Sequence, residues 1–269
     1  MDYVQPNEAV QNMAISGKIK TELSVSHILI KAILSGVFLG FATTLAFTGS
    51  VQTNLDFVGA LVFPTGFIII FLLNLELVTG SFAIIPIAVF RKKTKTSLML
   101  RNFFWAFLGN LIGSVFYAAL FAIYITQCGN ITGSETLIGQ KIIEVAENKT
   151  IAYKVLGLNG QVTMFIKAIL CNWMVTIGAV MAFTSKATIG KIVAMWMPVF
   201  IFFAQGFEHA IVNMFAIPAG MMVGADISFR DWWLWNQIPV TIGNFLSGFL
   251  FTALPLHFVT KENNFNKLL

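Results

Sequence analysis

Six apolar runs alternate with short polar stretches along this chain, at roughly 27–47, 57–90, 102–125, 161–184, 192–224 and 238–259. Four of them are 21–24 residues long, which suits one helical crossing of a bilayer. The second and fifth run 34 and 33 residues. As straight helices at about 1.5 Å per residue they would reach roughly 50 Å, against a hydrocarbon core of about 30 Å. Polar and flexible residues interrupt each near its middle, "NLELVTGS" (74–81) in one and "GFEHAIVN" (206–213) in the other. Prolines at Pro64, Pro86, Pro198 and Pro218 add to the case for a break. The pattern predicts an all-α integral membrane protein with six transmembrane helices, the second and fifth broken.

Composition supports that class: 57% of the 269 residues are hydrophobic, 11% are charged and the mean hydropathy is +0.80. A soluble domain carries about 25% charged residues. Continuous apolar runs, rather than alternation, exclude a β-barrel. The net charge of +5 does not point to nucleic acid, because the basic residues gather in short segments between the runs. "RKKTKTSLMLR" (91–101) holds five basic residues and no acid, and "SKATIGK" (185–191) holds two lysines. The positive-inside rule then puts both termini in the cytoplasm: an N-terminal segment 1–26, a transmembrane domain 27–259 and a tail 260–269. "DWWLW" (231–235) reads as an outer aromatic belt. Val10, Met13 and Ala14 fall at helical spacing within 7–20 and predict a helix on the cytoplasmic surface. The first 24 residues are polar, so no cleavable signal peptide is expected. Cys128 and Cys171, 43 residues apart, form no metal or redox spacing.

The two halves resemble each other. "KAIL" opens the first run at Lys31 and the fourth at Lys167, Pro64 and Pro198 are 134 apart, and "GNLIG" (109–113) answers "GNFLSG" (243–248). Each half, 27–125 and 161–259, reads as whole helix, broken helix, whole helix. Three crossings per half make the second enter from the opposite side, an inverted repeat with its site where the breaks meet at the midplane.

That geometry brings Glu76, Leu77, Thr79 and Gly80 toward Glu208, His209 and Asn213. Half-helix N-termini there offer partial positive charge to a small anion. Glu76, Glu208, Asn172 and Asn213 suit structural work, accepting or donating bonds to unwound backbone. His209 is the mid-membrane histidine; His27 and His257 lie near span ends, so neither a metal nor a haem site is expected, and no cofactor. Lys31 and Lys167 either snorkel to the interface or draw anions into two vestibules. No P-loop, GxSxG, HExxH or dinucleotide fingerprint appears, so no enzyme is expected.

The motifs "FPTG" (63–66), "LELVTG" (75–80), "RNFFWAFLGNLIG" (101–113), "CNWMV" (171–175), "GFEHAIVNMFAIP" (206–218) and "NQIPVTIGN" (236–244) together resemble the formate/nitrite transporter family, and "GKIVAMWMPVF" (190–200) resembles its formate branch. The resemblance implies an aquaporin-like subunit in a homopentamer in the cell membrane, each subunit with its own pore. It implies His209 as the central histidine with Glu208 beside it, and Thr79 on the facing loop. It implies apolar constrictions at Phe63, Phe67, Leu77, Val175 and Phe202, and an outer vestibule lysine at Lys149, with Lys154 as rival because the stretch before "CNW" is longer here. Val78 stands where the family commonly has Phe. The expected activity is passage of small monovalent acids, formate first, with a proton supplied by vestibule water or by His209. Nitrite, hydrosulfide, acetate or lactate are alternative substrates of the same pore. A neutral-solute channel or a non-transporting scaffold is the alternative of another class.

Overall fold

A computed structural model describes residues 2–260. The tail predicted at 260–269 therefore lies, beyond Thr260, outside the described residues. Helices α1 (Pro6–Glu22) and α2 (Val25–Thr53) are followed by α3 (Asp56–Leu72), α4 (Val78–Phe90) and α5 (Thr96–Ile125). Then come α6 (Leu137–Asn148), α7 (Ile151–Val155), α8 (Leu158–Met181), α9 (Thr188–Ala204), α10 (Ala210–Val223) and α11 (Phe229–Val259). Four of these, α2, α5, α8 and α11, are long and apolar enough to cross a membrane, while α3, α4, α9 and α10 are shorter apolar helices.

The second and fifth apolar runs are thus each two helices with a non-helical link, 73–77 in one and 205–209 in the other. The first helix of each pair stops in the same way. Asn74 has φ +50° and Gly206 φ +63°. The next amide reaches back along the helix, Leu75 N–H to Ile70 O and Phe207 N–H to Phe202 O. This left-handed stop favours glycine, with asparagine the common second choice. The second helices, α4 and α10, carry Pro86 and Pro218 inside them.

Two faces follow. The termini and the loops at 91–95 and 182–187 share one, here the terminal face; the long connection 126–157 with α6 and α7 covers the other, the loop face. On the terminal face α1 packs onto α4 and buries Ala9, Val10, Met13, Ala14 and Gly17. The predicted helix therefore exists, but its apolar side is turned into the protein and not laid on a lipid surface. Residues 2–4 strap it down: Val4 N–H donates to Thr184 O and Lys186 N–H to Asp2 O.

Close helix contact in the first half rests on small residues. Gly36 on α2 lies against the backbone of Asn110 and Ser114, and Gly113 on α5 lies against the backbone of Ile33, so a Cβ at either would collide with main chain. Gly109 beside Ala32 and Gly243 beside Ala168 repeat the contact in the two halves. Small residues let backbones approach where lipid gives helices no hydrophobic reason to associate. Gly113→Ala is expected to lower the apparent unfolding temperature of the detergent-solubilised protein, by the equivalent of about 1–3 kcal/mol of overpacking. Gly49→Ala, where a Cβ meets nothing closer than 3.7 Å, is the control and is expected to leave it unchanged or slightly raised.

Candidate functional site

The links at 73–77 and 205–209 leave backbone groups that hydrocarbon cannot satisfy. Two buried asparagines close them with matching bonds. Asn110 Oδ1 accepts from Val78 N–H, the first residue of α4, while its Nδ2 donates to Ala32 O and Glu76 O. Asn244 Oδ1 accepts from Ala210 N–H, the first residue of α10, while its Nδ2 donates to Ala168 O and Glu208 O. The two asparagines are 134 residues apart.

Beside each clamp sits a buried ion pair. Lys20 Nζ meets Glu76 Oε1 at 2.8 Å, and Lys149 Nζ meets Glu208 Oε2 at 2.9 Å. A further asparagine bridges each: Asn102 Nδ2 donates to Lys20 O and Glu76 Oε2, and Asn236 Nδ2 to Lys149 O and Glu208 Oε2. Asn102 and Asn236 are also 134 apart. Asn236 belongs to a π-helical segment, Trp233–Gln237, an irregularity often found at functional sites. Glu208 has two more donors, Asn213 Nδ2 at 2.7 Å and the Tyr153 hydroxyl at 2.8 Å. Burial first, and then the Glu208 charge, push the Tyr153 hydroxyl up, so it keeps its proton and remains the donor.

His209 breaks the correspondence. Counting from the αL residues, Glu76 answers Glu208 and Leu77 answers His209. Leu77 flanks α4 with no side-chain cap, whereas His209 Nδ1 caps α10 by accepting from Val212 N–H. With Nδ1 an acceptor, the neutral ring carries its proton on Nε2, which faces Thr79 Oγ1 at 3.0 Å. Both residues are buried, and the contact joins the starts of α4 and α10. Asn172 Nδ2 donates to Thr79 O and Asn244 O, tying the first half to the second.

Two cavities lie one on each face, and the loop-face one reaches His209 of this contact. One, on the terminal face, has a volume of about 280 Å³ and is lined by Ser16, Lys20, Phe71, Asn74 and Lys191 among others. The other, on the loop face, has about 220 Å³ and includes Lys141, Lys149, Phe202, Phe203 and His209. They share no lining residue. Phe67, Leu77 and Val175 are buried and line neither. Phe67 lies on α3 between Phe63 and Phe71, and Leu77 lies between Leu75 of the terminal-face cavity and Thr79. On the loop-face side Phe63 meets Phe202 edge-on at 5.8 Å and stacks on Phe203 at 3.9 Å, and Phe202 stacks on His209 at 5.7 Å.

The lysines sort by geometry. Lys149 is the one on Glu208, while Lys154 pairs with Asp231 at 2.8 Å. Lys31 donates to Asn74 O, and Lys167 lies 5.9 Å from the Tyr153 ring centre; neither lines the two cavities. Sequence reasoning missed Lys20, Asn102, Tyr153 and Asn236. The 134-residue offset of the asparagines was the signal for two of them. Lys20 gave none, since it lies in a polar segment 56 residues from its partner.

Side-chain exposures of 16% and 2% put the Lys149–Glu208 pair in the interior. Removing one member leaves an uncompensated charge, at a cost of about 3–5 kcal/mol. Lys149→Met is expected to lower the unfolding temperature of the solubilised protein sharply. Lys149→Met with Glu208→Gln is expected to recover most of the loss, measured by thermal unfolding of both variants side by side.

The comparisons with known proteins agree on one family. Among curated relatives, a protein of Methanothermobacter thermautotrophicus named "Probable formate transporter" is 29% identical, over 93% of this chain and 95% of that protein. A formate channel of Bacillus thuringiensis is 28% identical, over 92% of each. A solved structure described as an "FNT family ion channel" superposes with a TM-score of 0.80 at 24% identity, over 93% of this chain and 98% of that one. A pentameric formate channel solved with formate bound superposes with a TM-score of 0.71 at 22% identity, over 88% and 98%. The formate/nitrite transporter model matches residues 7–258, and the chain belongs to that family of membrane transporters, which are not enzymes.

Proposed function

We propose that this chain carries small monovalent anions, formate first, across the cell membrane together with a proton. In this reading it crosses six times as an inverted repeat, keeps both termini in the cytoplasm, and works as one pore of a homopentamer. The observation that carries the reading is the buried Thr79–His209 contact at 3.0 Å, where the starts of α4 and α10 meet between two separate cavities. Support for formate comes from relatives named for it at 28–29% identity.

A bare carboxylate crossing the apolar stretch at Phe63, Phe67, Leu77, Val175 and Phe202 would lose its hydration with nothing in exchange. Desolvation raises the acid's own pKa as it enters, so taking up a proton removes most of the barrier. His209 Nε2–H and the Thr79 hydroxyl then hold the acid midway, as a donor and a donor–acceptor. Because His209 Nδ1 is engaged by Val212 N–H, the ring acts here as a neutral hydrogen-bond partner, and the proton enters with the acid from the aqueous cavity.

The test is formate uptake by proteoliposomes under an imposed pH gradient. Uptake is expected to rise as the outer medium is acidified and to fall when the gradient is collapsed. His209→Asn keeps an efficient N-cap for α10 but loses the ring, and is expected to slow uptake about tenfold, the worth of one hydrogen bond. Unchanged uptake in that variant sinks the role of His209. Competition by nitrite, hydrosulfide, acetate and lactate ranks the substrates. Swelling in glycerol without any formate flux would favour a neutral-solute channel.

A further inference from the structure

The two cavities differ in net charge. On the loop face, Lys141 is paired with Asp56 at 3.2 Å and Glu144 at 3.5 Å, and Lys149 with Glu208. On the terminal face, Lys20 is paired with Glu76, which leaves Lys191 as the unpaired lysine of the lining; Lys31, also without a carboxylate partner among the described residues, lies behind the wall and donates to Asn74 O. No carboxylate lies within ion-pair distance of Lys191 among the described residues: Glu8 faces Lys186 and Glu22 faces Lys18. Lys191 is half-buried in the first turn of α9, within a cavity whose other polar walls are Ser16, Lys20 and Asn74. A charge in a concave site with low-dielectric walls focuses its field into the opening. The wider surface has the same sense. Among the described residues the terminal face holds ten basic and four acidic residues, the loop face five and seven.

We propose that Lys191 gives the terminal-face cavity an uncompensated positive charge that collects small anions there, so that the protein gathers its substrate more readily from this side than from the other. The local potential stands on the charge inventory alone; its consequence for flux rests on the transport reading above. At equilibrium the charge moves nothing by itself. It lowers the substrate concentration that half-saturates the terminal face, and because Lys191 is half-exposed the effect weakens as salt screens it.

Two measurements test this separately. In a Cys128→Ser background, which removes the exposed thiol and leaves Cys171 buried, Ser16→Cys places a reporter in the cavity, with Asn74→Cys as a second. The rates of modification by a negatively and a positively charged methanethiosulfonate reagent are compared. Lys191→Gln is expected to cut the anion-to-cation rate ratio roughly tenfold, and Lys191→Arg to preserve it. A ratio indifferent to Lys191→Gln overturns the proposal, whether or not the protein moves formate.

The second measurement is formate flux from each side of vesicles whose orientation is read by impermeant-maleimide labelling of native Cys128. Lys191→Gln is expected to raise the half-saturating concentration several-fold on the terminal face only, at low salt. An equal change on both faces, or none, overturns the link to transport. Wild-type vesicles without formate flux refute the transport reading instead, and the reagent ratio still decides the charge.

Discussion

Unpaired backbone in hydrocarbon is the constraint from which this architecture follows. A helix that stops inside a bilayer strands carbonyls at one end and amides at the other, with no water to take them. Asparagine is suited to the repair because one side chain carries both an acceptor and two donors. Asn110 and Asn244 each spend the acceptor on the first amide of the new helix, and the donors on a carbonyl of the link and one of a neighbouring helix. The break thereby becomes a fixed element. Gly109 and Gly243, next to these asparagines, bring their helices close enough to Ala32 and Ala168 for the bonds to form.

The ion pairs stabilise the same links from the other side. Glu76 and Glu208 each follow the left-handed residue by two positions, so each carboxylate sits where the chain turns back toward the centre. A carboxylate there needs a cation and further donors, and the cation comes from different segments: α1 in one half, the residue that follows α6 in the other, where α7 adds the Tyr153 hydroxyl. The scaffold and its bridging asparagines, Asn102 and Asn236, are thus repeated while the segments that supply the cations are not. What the repeat leaves unmatched is concentrated at the centre: His209 against Leu77, and Thr79 against Ile211. Leu77 shows that the link can be built without an imidazole. The imidazole caps α10 but is not required to build such a link, which is the physical ground on which the proposed mechanism gives it to the substrate.

Much of this could be read from the residues. Run lengths exposed both links, the offset of 134 paired Asn110 with Asn244, and isolation singled out His209. What stayed hidden depends on contacts between distant segments. Lys20 reaches Glu76 across 56 positions, and Tyr153 reaches Glu208 across 55. The likeness of "KAIL" sets Lys31 and Lys167 at corresponding positions, but neither of them is the partner of a link glutamate. The matching cations are Lys20 and Lys149, 129 residues apart in dissimilar surroundings. The choice between Lys149 and Lys154 was also tertiary: both lie near α7, and only the fold shows that one turns inward to Glu208 and the other outward to Asp231.

The polar and apolar parts of the centre constrain each other. Had Lys20 and Lys149 faced the cavities unpaired, a small anion would be held as an anion and would meet the apolar stretch with its charge intact. Pairing each lysine with a glutamate removes that trap while keeping the backbone satisfied. The unpaired lysine of the terminal-face cavity, Lys191, lies apart from the apolar stretch at Phe63, Phe67, Leu77, Val175 and Phe202. Inside, Thr79 and His209 present hydrogen-bonding groups without net charge, which suits an acid that has already lost its own. In the mechanism proposed, placing full charges at the mouth and in the scaffold, and none on the path between, lets a weak acid be gathered as an anion and passed as a neutral molecule.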